Sequence, residues 1–409
     1  GTTWRIEKLK QLFPKESRGL DRYWQDFKRV MRVMTFGRRL DQSHGLASLW
    51  LKARLYLSLL PVLGKLNWSA QRLMDDYFTS DELKMVFMSI LADFATRPDQ
   101  FLGLGVFALN QEAVYDKRMP AKLGKDTEML YHYSVLGGIG CLTDALVEKI
   151  EELGGKIYTN QAVEKIKVED GKAVGVIDSL GQYWDADVIV ASGGARELFV
   201  DMVGAEYLPA DFIEHVKKIP LMCSVLMIHL GVDFDPSPYL HDVATYYYGT
   251  YDIDTTLDEL KQGVYHEGEA GFVIHVPSMH TPEMAPSGCH AMTIYTVCPD
   301  RLRDENWSEK RDYYADRLVE FAEVHIPGLK SHIKERIILT PDDFRARLRI
   351  DPHAFGGLAP VMGAWRVKHQ TPIHGLWFVG AQSESGGGVT TVVRTSYQVS
   401  QRILKNSRS

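Results

Sequence analysis

Residues 375–404 read GLWFVGAQSESGGGVTTVVRTSYQVSQRIL. An apolar strand-like run, Leu376 to Val379, reaches Gly380. Gly386, Gly387 and Gly388 follow, and then a stretch with the spacing of a helix. A glycine triplet carries a large backbone entropy cost, so it belongs where the main chain must approach something closely. A flexible linker is the plainer alternative. Val389, Val392 and Val393 resume the apolar pattern at once, however, and a linker would not be framed so tightly. Backbone amides at a helix start suit a flat or anionic ligand.

Upstream, residues 136–194 have the character of an α/β unit. GGIGCLTDALVEKIEELGG opens on glycines and continues as a helix with Leu142, Leu146 and Ile150 on one face. KIYTN and AVEKIKVED read as short strands, and the turns at Glu169–Lys172 and Gly181 lead into AVGVIDS and YWDADVIVASGG. Val188–Ala191 is a continuous apolar run, as expected of a strand buried on both faces of a partly parallel sheet. Residues 195–340 contain SVLMIHLGVDF, ATYYYGTY, FVIHVPS and AMTIYTV, then a helix over about 308–326, which predicts a mostly antiparallel second domain. TPDDFRARLRIDPHAFGG, 340–357, returns the chain to the first domain. Asp351-Pro352-His353 is a polar turn that could face the site.

The first 135 residues read as helical. Thr79-Ser80-Asp81-Glu82 is a capping box ahead of apolar residues at helical spacing, and Pro98 stops the pattern. LASLWLKARLYLSLLPVLGKLNW, 46–68, mixes Lys52, Arg54 and Lys65 with Leu, Trp and Tyr. It is either a core helix with exposed cations or a peripheral contact with a membrane or lipid substrate. No apolar run is read as reaching the ~18 residues of a spanning helix. The four segments expected are thus 1–135, 136–194, 195–340 and 341–409.

Composition narrows the function. The 409 residues are 45% hydrophobic and 24% charged, and a net charge of −6 argues against a nucleic-acid partner. Cys141, Cys223, Cys289 and Cys298 form no CxxC pair and read as buried free thiols in a reducing compartment. No HExxH or paired ligand spacing suggests a metal, and no GxSxG elbow suggests a hydrolase. The start, Gly-Thr-Thr-Trp, is not a secretory signal, and a cytoplasmic location is expected, with peripheral membrane contact through 46–68 as the alternative to a core helix.

Two further glycine clusters compete for a nucleotide. FLGLGVFA, 101–108, matches GxGxxG/A by letter, but the preceding Thr-Arg-Pro-Asp-Gln makes no buried strand, so it is rejected. LGGIGC, 136–141, does precede a helix; a tight turn with a helix cap is its alternative reading.

Taken together, VLGGIGCLTDALVEKIEELGGKIYTNQAVEKIKVEDGKAVGV, WDADVIVASGG and GLWFVGAQSESGGGV resemble the phytoene desaturase-like flavoproteins. These are carotenoid desaturases and isomerases and retinol saturases within the FAD-dependent amine oxidase superfamily. FPKESRGLDRYWQDF, VPSMHTPEMAPSGCHAMTIYTV and LTPDDF are similar to family landmarks, and the likeness runs in order from about residue 12 to the end. It implies FAD as cofactor. The fold implied is a mixed α/β one, with an incomplete Rossmann-like FAD domain, an antiparallel-sheet substrate domain and a helical region. By the same resemblance, Val163 meets the adenine, and Ala191, Ser192 and Gly193 lie near the adenosine and pyrophosphate. Gly380 and Ala381 lie by the pyrophosphate and ribityl chain, and Gly387, Gly388 and Val389 against the flavin edge. Gly137 and Gly138 lie near the isoalloxazine or substrate cavity. No acid or base is identified. Glu384 and Arg394 are the nearest charged groups, with surface salt bridges as their other reading.

The family's opening strand, GxGxxG turn and ribose-binding acid are absent from these residues. Gln382 stands where the family has Asp or Gly, and Ser385-Gly386 and Thr390-Thr391 where it has a proline-glycine step. Three arrangements are expected to explain the gap: a truncated product, a second chain carrying the unit, or its loss together with FAD binding. The implied reaction is hydride transfer between flavin and an extended polyene or isoprenoid substrate. A lipid- or partner-binding relic and a flavin amine oxidase are the alternatives.

Overall fold

The computed structural model describes residues 4–41, 43–110, 135–240, 242–353 and 355–406. It divides into one compact unit of residues 1–134 and 251–254 and another of 135–250 and 255–409. The chain adopts the mixed helix-and-sheet class expected of it.

Among its described residues the first unit has six α-helices: α1 (Trp4–Leu12), α2 (Ser17–Asp41), α3 (Gly45–Leu59), α4 (Ala70–Tyr77), α5 (Asp81–Met88) and α6 (Gly103–Leu109). On α2, Leu20, Tyr23, Phe27, Val30 and Met31 recur at helical spacing and are buried. Tyr23 packs on Phe87 (ring centroids 4.3 Å apart) and Phe107 (5.0 Å), and Phe78 stacks on Phe87 (5.5 Å). Ser80 is the N-cap of α5, accepting from the Leu83 amide, but the second half of the cap comes from afar. Glu16 accepts the amides of Thr79 and Ser80, at 2.9 and 2.8 Å.

Gly103 to Val106 of FLGLGV lie in α6, with no strand element before it, which agrees with its rejection as a nucleotide turn. The α3 helix runs on through a 3-10 stretch, Leu60–Lys65. Gly45–Lys65 is therefore one helical segment of 21 residues, long and apolar enough by length and composition to cross a membrane. This corrects the expectation that no run approaches that length: two cations do not interrupt a continuous apolar helix.

In the second unit, α7 (Gly140–Glu152) precedes a three-stranded meander, β1 (Val163–Glu169), β2 (Lys172–Asp178) and β3 (Tyr183–Asp185). The next strand, β4 (Ile189–Ala191), leads to α8 (Ala210–Lys217) and a larger sheet. That sheet comprises β5 (Ser224–Val232), β6 (Ala244–Tyr248), β7 (Gly271–His275), β8 (His290–Cys298) and β9 (Ile333–Leu339), with α9 (Ile253–Lys261) after β6. Its order is β6-β7-β8-β5-β9, all antiparallel. The long helix α10 (Trp307–His325) buries Trp307, Tyr314, Leu318 and Val319. The chain returns through α11 (Pro341–Leu348) to β10 (Leu376–Phe378) and ends in α12 (Val389–Asn406). Asp300, at the end of β8, ties that return segment: Arg345 donates to it at 2.8 Å and the His353 amide at 2.8 Å.

The parallel pair of β10 and β4 packs one face on a core of Ile166, Ala173, Ile189, Phe199, Leu376 and Phe378. On the other face Trp377 of β10 is buried, at 6% exposed, whereas its partner Val190 on β4 is open. Val190 is 51% exposed, and no residue of α7 is buried; Leu146 is 54% exposed. Three expectations are corrected here. The Val188–Ala191 run is not covered on both faces, KIYTN forms no strand, and Cys141 is exposed rather than buried. At Val190 and along α7, apolar side chains that read as core are left exposed.

Candidate functional site

The parallel register pairs Leu376 with Ile189, Trp377 with Val190 and Phe378 with Ala191. It therefore delivers Ser192-Gly193 and Gly380-Ala381 side by side beyond the carboxyl ends of the two strands, where open α/β sheets bind ligands. The Val379 amide donates to Ala191 O at 2.9 Å. Gly380 has a φ of 97°, which favours glycine, and a Cβ there would make ordinary contact with Ser192 Cβ, at 3.5 Å. The register brings together five of the predicted site residues: Ala191, Ser192, Gly193, Gly380 and Ala381.

Gln382 anchors this junction. It is 3% exposed; its Oε1 accepts the Ala195 amide at 2.9 Å, and its Nε2 is buried without a partner. An unpaired buried donor costs about 1–3 kcal/mol unless something accepts from it. The Ser383 and Ser385 hydroxyls fold back on Gly380 O, at 2.7 and 3.1 Å. Gly357 closes the other side, where a Cβ would lie 2.6 Å from Ala381 O. Sequence reading treated Gln382 only as a departure from a family pattern; its signal was a long polar side chain between two apolar-to-glycine transitions.

The glycine triplet is different. A Cβ on Gly386 or Gly387 would meet nothing within 4 Å, and Gly388 would meet only Thr391 Oγ1 at 4.0 Å. Among the described residues no contact explains the triplet, so the space beside it is open to a ligand there. Gly386 and Gly388 have φ of 70° and 99°, which favours glycine. Val389 then begins α12, an 18-residue helix whose first amides have no intrahelical partners.

The remaining predicted residues lie elsewhere. Val163 opens β1 and pairs with Asp178. Gly137 and Gly138 form the left-handed turn before α7, and a Cβ on Gly138 would lie 3.1 Å from Met284 Cε. Glu384 is exposed and holds main chain: its carboxylate accepts the His369 amide at 2.9 Å, and its own amide donates to Val367 O at 2.7 Å. Arg394 lies on α12, also exposed.

Met284 belongs to the segment around a cleft of about 430 Å³ lined by Asp235, Ser278, Met279, Pro282, Cys289 and His290, among others. His290 Nδ1 lies 3.0 Å from Ser278 Oγ and its Nε2 3.8 Å from Asp235. The amide and hydroxyl of Ser237 hold the Asp235 carboxyl below the usual carboxylate range. The wall combines a thioether and prolines with a hydrogen-bonding edge. Sequence reading had marked this stretch only as a landmark. Among the described residues no group of three or more His, Cys, Asp or Glu could hold a metal ion.

As a test for a flavin dinucleotide, the arrangement fits on one side. Ser192-Gly193 and Gly380 provide main chain that a ligand can approach, Gln382 Nε2 provides an unused donor, and the start of α12 provides oriented amides. A strand followed by a GxGxxG turn, the usual pyrophosphate grip, is not found among these residues.

Comparison with known proteins follows the same line. Residues 6–404 match the family model described as flavin containing amine oxidoreductase. Pyridine nucleotide-disulfide oxidoreductase domain-containing protein 2 of Rattus norvegicus is 25% identical over 306 residues, 66% of this chain and 51% of that protein. The lycopene-forming phytoene desaturase of a Paracoccus species is 25% identical over 279 residues, 67% of this chain and 55% of that one. The chain spans about half the length of the curated relatives it matches. Among solved structures, an oxidoreductase from Methanosarcina mazei aligns with a TM-score of 0.54 at 20% identity, covering 85% of this chain and 72% of that one. A putrescine oxidase variant aligns at 0.57 and 11% identity, covering 97% and 76%. These two likenesses concern the fold.

Proposed function

We propose that this chain, which belongs to the flavin containing amine oxidoreductase family, forms the flavin-edge and substrate part of an FAD-dependent oxidoreductase acting on an extended apolar substrate of polyene or isoprenoid type. The observation that carries this reading is the β4–β10 junction: open glycines and an orphaned Gln382 donor at the carboxyl ends of two parallel strands. When bound, FAD supplies the hydride chemistry that no side chain here can perform. The chain's own residues do the rest. Gly380 and Gly193 give main-chain access, Gln382 Nε2 donates a hydrogen bond, and the start of α12 sets partial positive charge beside the ligand. Gly387 and Gly388 leave room for a ring. Two carboxyl-end loops without a phosphate turn are half of a dinucleotide site. The exposed side of α7 and the exposed Val190 on β4 are fitting seats for a strand–glycine turn–helix unit from outside these 409 residues. Phytoene desaturases and prolycopene isomerases among the relatives, named for polyenes, favour a polyene over an amine.

The test is anaerobic flavin reduction in protein that carries the complementing unit, preceding the chain or added as a second polypeptide. The expected result is FAD uptake with flavin bands, weakened about tenfold or more by Gly380→Val, and bleaching by phytoene but not by putrescine. Bleaching by putrescine alone would make the protein an amine oxidase. No FAD uptake by the complemented protein would make it a binding relic.

A further inference from the structure

The helical segment Gly45–Lys65 is apolar on two sides, and only one of them is used. Leu51 and Val62 are buried, and α3 packs along α2. On the other side Leu46, Leu49, Leu57, Leu60 and Leu63 are exposed, Leu46 by 86% and Leu57 by 66%, with Trp50 and Tyr56 beside them. With the exposed Ala53 between Leu49 and Leu57, these positions follow one another at three- and four-residue steps and form one stripe. Helices that are apolar all round are normally enclosed by protein or by lipid. A contiguous stripe of leucines facing outward marks an interaction surface.

We propose that this stripe seats in the surface of an anionic lipid bilayer, with the helix lying in the membrane plane. Charge decides the occupant. Residues 1–68 carry fourteen Lys and Arg against five Asp and Glu, although the whole chain has 47 against 53. A second copy of so basic a segment repels the first, whereas acidic headgroups attract it. Arg38 and Arg39 close α2 just ahead of the stripe, and Lys52 is exposed within it. Trp50 and Tyr56 are the residue types that favour the interface between headgroups and acyl chains.

The attachment of the helix excludes a spanning role. Its far end is pinned to the body by Lys65, which lies 3.0 Å from both Asp26 and Asp76 and 3.0 Å from the Tyr77 hydroxyl. Tyr77 in turn donates to Asp26. Lys65 is thus not one of the surface cations that the sequence suggested. With Leu51 and Val62 buried and Lys65 tied down, the segment of about 30 Å stays against its own unit and offers lipid a side, not an end.

This inference goes beyond the flavin reading and rests on none of it, so its test needs no cofactor. The full chain is mixed with phosphatidylcholine vesicles with or without phosphatidylserine and sedimented. The expected result is binding that strengthens with phosphatidylserine and weakens with salt. Leu49→Glu with Leu57→Glu lowers the partition coefficient about a hundredfold. Lys52→Glu lowers it about fivefold, on the anionic vesicles only. Both substituted leucines are exposed, and an unchanged circular dichroism melting curve confirms that the variants fold. Equal sedimentation of the unchanged protein and the leucine variant overturns the proposal. So does absence of vesicle binding together with a concentration-dependent dimer, measured by light scattering, that the same substitutions abolish.

Discussion

Strand β5 and strand β4 are written in nearly the same alphabet, SVLMIHLGV and IVA, yet they end in opposite circumstances. β5 is hydrogen-bonded on both edges, to β8 and to β9, and Ile228 sits between Ile294 and Ile338 with no exposure. β4 has a partner on one edge only, and Val190 beside the buried Ile189 faces outward. The difference lies in the neighbours and not in the strand. An apolar run announces that a segment will be buried by something; it does not say whether that something lies within the same stretch of chain. An uncovered strand edge and face are a template for further pairing.

The largest effect expected follows directly. Ile228→Ala in β5 removes buried methyls from a site that cannot collapse, at a cost of about 3–4 kcal/mol in denaturant unfolding. Leu146→Ala on α7 removes as much apolar volume from a half-exposed position where Ala is the better helix former. It should change stability by less than about 0.5 kcal/mol. A cost above about 1.5 kcal/mol for Leu146→Ala would break the comparison, because α7 would then be covered in solution. In protein joined to a complementing strand–turn–helix unit the two costs should converge.

The same contrast separates what the sequence made legible from what it hid. Four strands of the larger sheet and α10 were readable because each carries its period and its neighbours follow in the chain. The glycine loop was readable because Val389 and Val392 frame it. The cap of α5 was only half readable: Ser80 is local, but Glu16 arrives from 63 or more residues away. KIYTN forms no strand because a strand needs a ladder partner, and none for it is among the described residues. Gln382 was seen without its role, because an orphaned Nε2 is a property of packing and not of spacing.

A smaller effect tests the complete sheet from within. His266 lies in the loop before β7; its Nδ1 accepts the Gly268 amide at 3.1 Å, and its ring lies 5.2 Å from Tyr265, which packs on Trp307. Burial pushes its pKa down to about 4. The unfolded chain, with an ordinary His value of about 6.5, takes up this proton first. Stability from this group is therefore intact above pH ~6.5 and is lost as the pH falls toward about 4, by on the order of 3 kcal/mol. His266→Asn keeps an acceptor for Gly268 but does not titrate. Its unfolding free energy, followed from pH 7 to pH 4, should fall less than that of the unchanged protein by that amount. Parallel curves would mean that the loop opens to water and that this sheet is less closed than β5 suggests.

The smallest effect expected concerns the incomplete region and its charged neighbour. Glu384 borders the glycine loop, so proton transfer is the natural suspicion, but its carboxylate is occupied in holding the His369 amide. Glu384→Gln keeps an acceptor for that amide and removes the charge and the basicity. If Glu384 only braces the loop, the melting midpoint should be nearly unchanged and kcat for flavin reduction in the complemented protein should stay within about twofold. Glu384→Ala, which leaves the amide to water, should cost about 1 kcal/mol. If Glu384 moves a proton, Gln should lower kcat by about a hundredfold or more while the fold stays as stable. The two substitutions therefore pull apart: bracing registers in stability through Ala, and chemistry registers in turnover through Gln. The exposed carboxylate bonded to main chain sets the expectation on the first.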